Sequence, residues 1–449
     1  MVKSYSIDMC NGSILPKLLR FAIPLMCSSI LQLLFNAADV VVVGRFCGEN
    51  SLAAVGSTTS LINLLTNLFI GLSVGANVLT ARYYGAKENR HLHDVIHTAV
   101  ALSLISGIIL TIFGVVFAKQ ILQWMQTPKE VIALSTMYLR IYFMGMIATM
   151  LYNFCSAVLR AVGDTKRPLY YLLFAGLINV VLNLFFVVVC KMNVAGVGLA
   201  TVLSQCISAT LIVRCLLREK EAYQLILKDI RLHTKYVGRI LQIGLPAGLQ
   251  GTVFSLSNVV IQSSVNSFGS VIMAGNAAAG NVEGFVYMGM NAFHQAAVSF
   301  VSQNMGAGRF ERINKIVVRV MLCVIMTGIL LGGLVVLFGE HLLGFYSGKE
   351  DVIAAGMIRL RIICGVYFLC GLMDVMVGVL RGLGYSVMPM IVSLIGACGL
   401  RLLWIFTIFQ VEQYHTTTVL YLSYPVTWLI TFMIHVICFC VVRRRYPKR

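Results

Sequence analysis

The chain has 449 residues, 59% of them hydrophobic and 12% charged, with a mean hydropathy of +0.87. Water-soluble domains keep roughly a quarter of their residues charged, so the composition excludes a soluble enzyme or binding module. A formal net charge of +18 would suit nucleic acid, but the basic residues sit at the ends of apolar segments, which excludes that partner.

In chain order, the segments 14–43, 52–80, 95–118, 131–158, 168–189 and 194–217 are apolar and long enough to cross a ~30 Å hydrocarbon layer at ~1.5 Å per residue. A charged stretch, 218–236, then carries Arg218-Glu219-Lys220-Glu221 and Lys228-Asp229-Ile230-Arg231. The second half repeats the pattern at 237–266, 271–304, 313–338, 352–380, 387–410 and 418–442. The expected fold is an all-α polytopic membrane protein. Twelve transmembrane helices form two homologous six-helix lobes around a central cavity: an N-lobe at 1–217, a cytoplasmic linker at 218–236 and a C-lobe at 237–449. The polar leader Met1–Ser13 precedes an apolar run longer than a signal peptide's core of ~7–15 residues, so the first helix reads as retained.

Three anchors repeat at one offset of 221 residues. Leu159-Arg160-Ala161-Val162-Gly163 before Pro168 returns as Leu380-Arg381-Gly382-Leu383-Gly384 before Pro389. Leu139-Arg140-Ile141 returns as Leu360-Arg361-Ile362, and Gly85-Ala86 as Gly306-Ala307. Chance matches would scatter in offset, so the halves are a duplication. Six crossings per half give both halves one orientation, with a pseudo-two-fold near the membrane normal. Lys and Arg concentrate on one side, at Arg82, Lys87, Arg90, Lys166, Arg167, the linker, Arg309, Arg312, Lys315 and the tail Arg443–Arg449. That bias places both termini in the cytoplasm of a plasma (inner) membrane protein, with the tail resting on anionic lipid.

The thirteen cysteines lie almost wholly in apolar segments, without metal spacing, and read as small buried hydrophobes. Pro24 and Pro246 occupy equivalent places in the first helix of each half, where a proline either permits a bend or marks the helix entry. Gly71-x-x-x-Gly75 and Gly280-x-x-x-Gly284 would let backbones approach closely.

Three carboxylates fall inside predicted spans: Asp39, Glu283 and Asp374. A charge near the bilayer centre costs at least ~2.5–3.5 kcal/mol, so such residues face the protein interior and usually serve transport. Asp39 has nothing basic near it in sequence, so it can take up a proton or bind a cation. Glu283 and Asp374 mark a possible polar or substrate site in the second half, and Arg401 reads as the deep arginine that pairs with one of them. Asn179 and Asn183, four residues apart, share one helical face, as do Thr201 and Gln205. Together they offer either neutral oxygen ligands for a hard cation or interhelical hydrogen bonds. His97, His294 and His435 stand isolated in the apolar segments and read as packing histidines rather than ligands.

With Pro24 before Asp39, the repeated Leu-Arg-x-x-Gly turn and Gln303-Asn304-Met305-Gly306-Ala307-Gly308, the chain resembles a multidrug and toxic compound extrusion (MATE) transporter of the bacterial NorM/DinF-like type, over essentially its whole length. The resemblance implies antiport: efflux of amphipathic, often cationic drug-like compounds against inward Na⁺ or H⁺, by alternating access of two lobes, with no enzymatic activity. It implies no cofactor, no metal beyond a possible Na⁺ at Asp39, and no obligate protein partner besides the surrounding lipid. It makes Asp39 the coupling carboxylate, with Asn179 and Thr201 beside it and Asn183 where the family has a second Asp. In the seventh segment the family's acid is replaced by Phe254. A rival reading on the same architecture is a lipid-linked oligosaccharide flippase, whose pyrophosphate cargo would call for a cavity rich in Arg and Lys.

Overall fold

The protein is described by a computed structural model covering residues 5–447; Met1–Ser4 of the leader and Lys448 and Arg449 of the basic tail lie outside the described residues. Among the described residues every regular element is a helix. The first half contains α1 (Ile14–Phe46), α2 (Glu49–Ala86), α3 (Asn89–Trp124), α4 (Lys129–Met144), α5 (Met146–Ala161), α6 (Lys166–Leu184, extended by a wide turn over Phe185–Val189) and α7 (Val194–Leu217). The second contains α8 (Thr234–Asn266), α9 (Ser270–Gly306), α10 (Phe310–Gly344), α11 (Glu350–Cys364), α12 (Phe368–Gly382), α13 (Val387–Ser393), α14 (Leu400–Phe406) and α15 (Thr417–Arg443). A wide turn over Leu394–Gly399 joins α13 to α14 into one segment.

The duplication is carried into the helix boundaries. Glu49, Asn89, Lys129 and Lys166 open α2, α3, α4 and α6, and Ser270, Phe310, Glu350 and Val387 open their counterparts 221 residues later. The pairs α4–α5 and α11–α12 each bend by 46°. A glycine stands at each break, Gly145 and Gly365, where the backbone turns without a Cβ in the way. The turn after each pair also needs glycine: Gly163 and Gly384 have φ of +94° and +99°. At Gly163 an added Cβ would lie 2.6 Å from the Ile7 nitrogen. The repeated Leu-Arg-x-x-Gly motif is therefore a backbone requirement at the end of a bent span.

With each bent pair taken as one span, ten segments are long and apolar enough to cross a membrane. α8 and α9, of 33 and 37 residues, are as long but more polar, because they carry Gln250, Gln262, Asn276, Glu283, Asn291 and Gln303. Those side chains are paired inside the protein, so the two helices complete the twelve.

The chain forms two compact units. One takes the chain up to Asp8 together with Cys27–Gly248; the other takes Met9–Met26 and everything from Leu249 on. Each first helix thus changes unit within three residues of its proline, Pro24 in α1 and Pro246 in α8. Both prolines lie inside continuous helices, ten and twelve residues past their starts, and not at the entry.

In the first unit, α2 and α8 meet backbone to backbone: an added Cβ at Gly71 would fall 2.2 Å from the Gly248 nitrogen, and at Gly75 2.3 Å from the Ile240 oxygen. Gly280 and Gly284 face open space and make no such approach. Beyond Asp39, Val42 and Val43 join a closed apolar cluster with Val55, Leu110, Tyr138, Phe143, Met146, Val187 and Val197. The linker is tied down by Arg167, which pairs with Asp164 and, at 2.7 Å, with Glu219. Burial pushes the neighbouring Tyr223 phenol up, so it meets Arg167 as a neutral hydroxyl. In the second unit Asn304 donates to the Met9 carbonyl at 3.1 Å and Arg312 to the same oxygen at 3.2 Å, which gives the Gln303–Gly308 motif a structural task.

Candidate functional site

The first unit holds the better-formed site. α1 carries Asp39 and α6 carries Asn179 and Asn183, one turn apart on one face; α7 brings Thr201. Asn183 donates from Nδ2 to Asp39 Oδ1, and also to Asn179 Oδ1 at 3.2 Å. Thr201 Oγ1 donates to Asp39 Oδ2 at 3.5 Å. Asn183 is fully buried and Asn179 nearly so, while Asp39 is partly buried. The side-chain partners of Asp39 are these neutral groups; among the described residues no Lys, Arg or His balances its charge. Asn183 Oδ1 is buried with no donor. An uncompensated carboxylate beside an unmet buried oxygen is costly in a protein interior. That combination is the chemistry of a site for a small cation or a proton.

Sequence reading missed the wall opposite. Tyr138, buried, and Tyr142, partly buried, lie on α4 within electrostatic reach of Asp39, and Tyr142 hydrogen-bonds Gln205, which also accepts from Thr149 of α5. One signal could have found them: Tyr138 and Tyr142 are four apart and share one face of α4.

The second unit arranges its charges differently from the sequence reading. Glu283 of α9 is clamped by Arg359 of α11, through Nε at 2.7 Å and Nη2 at 2.8 Å. Arg359 Nη1 also donates to Asn276 at 2.6 Å, and its guanidinium lies 5.4 Å from the Tyr421 ring centre. Arg401 is therefore not the only deep arginine, and it pairs with neither acid by hydrogen bond or ion pair among the described residues. Its guanidinium stacks 3.9 Å over Tyr424 and donates to Thr427 at 3.2 Å, while its Nε is buried without a partner. Asp374 hydrogen-bonds Tyr287, with Arg381 in electrostatic reach, and Arg381 donates to Gln250 at 2.8 Å. The two acids thus have different hydrogen-bond partners, Arg359 for Glu283 and Tyr287 for Asp374. The three histidines are held by protein groups: His97 by His93 O and Ile226 N–H, His294 by the Asp374 carbonyl at 2.6 Å, and His435 through Nε2 by Ser393 at 3.2 Å, with its Nδ1 buried and unmet.

The model of the MatE family matches this chain twice, at residues 24–185 and 246–407, each match opening on the proline of a first helix. The chain belongs to the MatE family. Its relatives are named for multidrug resistance or multidrug export. A probable multidrug resistance protein of Bacillus subtilis, YoeA, is 28% identical over 423 residues, 92% of this chain and 91% of that protein. The probable multidrug resistance protein NorM of Thermotoga maritima is 24% identical over 390 residues, covering 86% and 84%. Among solved structures, an outward-facing multidrug resistance MATE transporter superposes with a TM-score of 0.90 at 20% identity, over 98% of this chain and 99% of the other. The MATE fold of two homologous six-helix lobes and the multi-pass membrane character follow. The chain is a membrane transporter of the multidrug efflux family.

Proposed function

We propose that the protein is a secondary active efflux antiporter that exports amphipathic, mostly cationic compounds in exchange for Na⁺ or H⁺. The observation that carries the reading is Asp39, whose side-chain partners among the described residues are neutral. A buried carboxylate with no fixed counter-charge is a place where a mobile cation changes the energy of the local structure by several kcal/mol. Asn183 suits either ion. Its amide can turn by half a revolution, donating to an ionised Asp39 or presenting its oxygen to a cation or a protonated carboxyl. Na⁺ would be held by Asp39, Asn183, Asn179 and Thr201, all of them hard oxygen ligands.

Coupling requires that ion binding at Asp39 differ between outward- and inward-open states, since a gradient can drive only a transition to which its ion binds unequally. Pro24, which has no backbone N–H to donate and lies within three residues of the point where α1 changes unit, is our candidate for the place at which α1 responds. The cytoplasmic placement of both termini in a plasma membrane, the lobe limits at 217 and 237, and a drug-contacting role for the Glu283, Asp374 and Arg401 region are part of the same proposal. A lipid-linked sugar flippase gains no support from relatives named for multidrug resistance.

The test is dye efflux from proteoliposomes under an imposed Na⁺ gradient, then a pH gradient, with Asp39→Asn beside wild type. Efflux driven by one gradient and lost in the variant is expected. Export by Asp39→Asn at the wild-type rate would refute the coupling role.

A further inference from the structure

We propose that His93 and His97 of α3, with Asp229 of the linker, form a binding site for one divalent transition-metal cation of the zinc type. The two histidines are four residues apart, so their rings leave α3 on one face, with centroids 3.9 Å apart. Asp229 closes a short helical turn, Leu227–Asp229, that brings its Oδ2 to 3.2 Å from His93 Nε2. The three donor atoms lie within 4.8 Å of one another. Zinc bonds of ~2.0–2.1 Å in a tetrahedron separate donors by about 3.4 Å. The His93–Asp229 pair, at 3.2 Å, already has about that spacing.

The surroundings are those of a histidine ligand set. His97 Nε2 accepts the Ile226 N–H at 2.9 Å, so its proton is on Nδ1, which donates to the His93 carbonyl at 2.7 Å. A backbone carbonyl holding Nδ1–H is the usual outer support of an Nε2 metal ligand. The metal would take the lone pair now met by the N–H of Ile226, a half-exposed linker residue. Asp94 Oδ1 lies 3.7 Å from His93 Nδ1 and 3.5 Å from His233 Nε2, a carboxylate placed to steady the second ring. Two imidazoles and one carboxylate select zinc-like ions over Mg²⁺ or Ca²⁺, which prefer all-oxygen shells. Bound metal would fasten the linker between the two halves to α3. The site is separate from Asp39 and stands whether or not the antiport reading does.

The experiment uses full-length protein in detergent, freed of any affinity tag and of metal, titrated with zinc chloride alone in a calorimeter and with magnesium chloride in parallel. Wild type should bind one zinc. His93→Ala and Asp229→Asn should each weaken binding roughly tenfold or more, and the double variant should abolish it. Co²⁺ in place of zinc should give the visible absorption of a four-coordinate nitrogen and oxygen site. Both substitutions are at partly exposed positions, and an unchanged unfolding midpoint in chelator confirms the fold; if His93→Ala fails that check, Asp229→Asn decides. Zinc affinity unchanged in the variants, an equal response to magnesium, or no zinc binding would overturn the proposal.

Discussion

Replacing Glu283 by Gln tests whether the second unit is built around a buried ion pair. Both partners are almost entirely enclosed, and the contact is bidentate at 2.7 and 2.8 Å. Opposite unit charges ~4 Å apart are worth about 4 kcal/mol at an effective dielectric of ~20. Gln keeps the shape and one acceptor but leaves the Arg359 guanidinium with only Asn276 and the faces of Tyr421 and Tyr424. Breaking one side of a buried pair costs about 3–5 kcal/mol, whereas replacing both sides with uncharged groups is near neutral. Glu283→Gln should therefore lose about 3–5 kcal/mol, and Glu283→Gln with Arg359→Met should recover most of it. Unfolding followed by tryptophan fluorescence, to which Trp428 beside Arg401 and Tyr424 contributes, reads this. A single variant within about 0.5 kcal/mol of wild type, or a double variant showing the plain sum of two losses, would refute the reasoning.

Gly71→Ala should destabilise by at least the ~1–3 kcal/mol of an overpacked core, because its Cβ meets the backbone of Gly248; Gly280→Ala, facing open space, should be near neutral, and expression yield with thermal stability checks both. Thr201→Val, which removes one donor to Asp39 at a partly buried site, should shift the ion concentration for half-maximal dye efflux several-fold, and an unchanged ion dependence would remove Thr201 from the site. Arg401→Met should keep or raise the unfolding midpoint, since the guanidinium stands without a carboxylate and with Nε unmet; a loss above ~2 kcal/mol would mean that its stacking on Tyr424 outweighs the buried charge.

The sequence by itself determined the architecture. A helix in lipid must satisfy its own backbone and present an apolar surface, so each crossing is written as a local run. A duplication leaves a constant offset that no packing detail can blur. Gly163 and Gly384 were legible as a repeated motif, and the structure supplies their reason, a backbone turn with positive φ. Asp39 stood out because an acid in an apolar run has few innocent explanations. Tertiary structure alone decided which charges meet. Glu283 and Arg359 are 76 residues apart, and nothing local to Arg359, which precedes the repeated Leu360-Arg361, marks its partner. Helical periodicity says which residues share a face, but the partner across the gap depends on the crossing angle and register of two helices. The same limit hid the direction of the Asn183 amide, the meeting of His93 with Asp229, and the passage of each first helix from one unit to the other at its proline. Each is set by how helices pack, and packing is a property of pairs of segments, not of either one read alone.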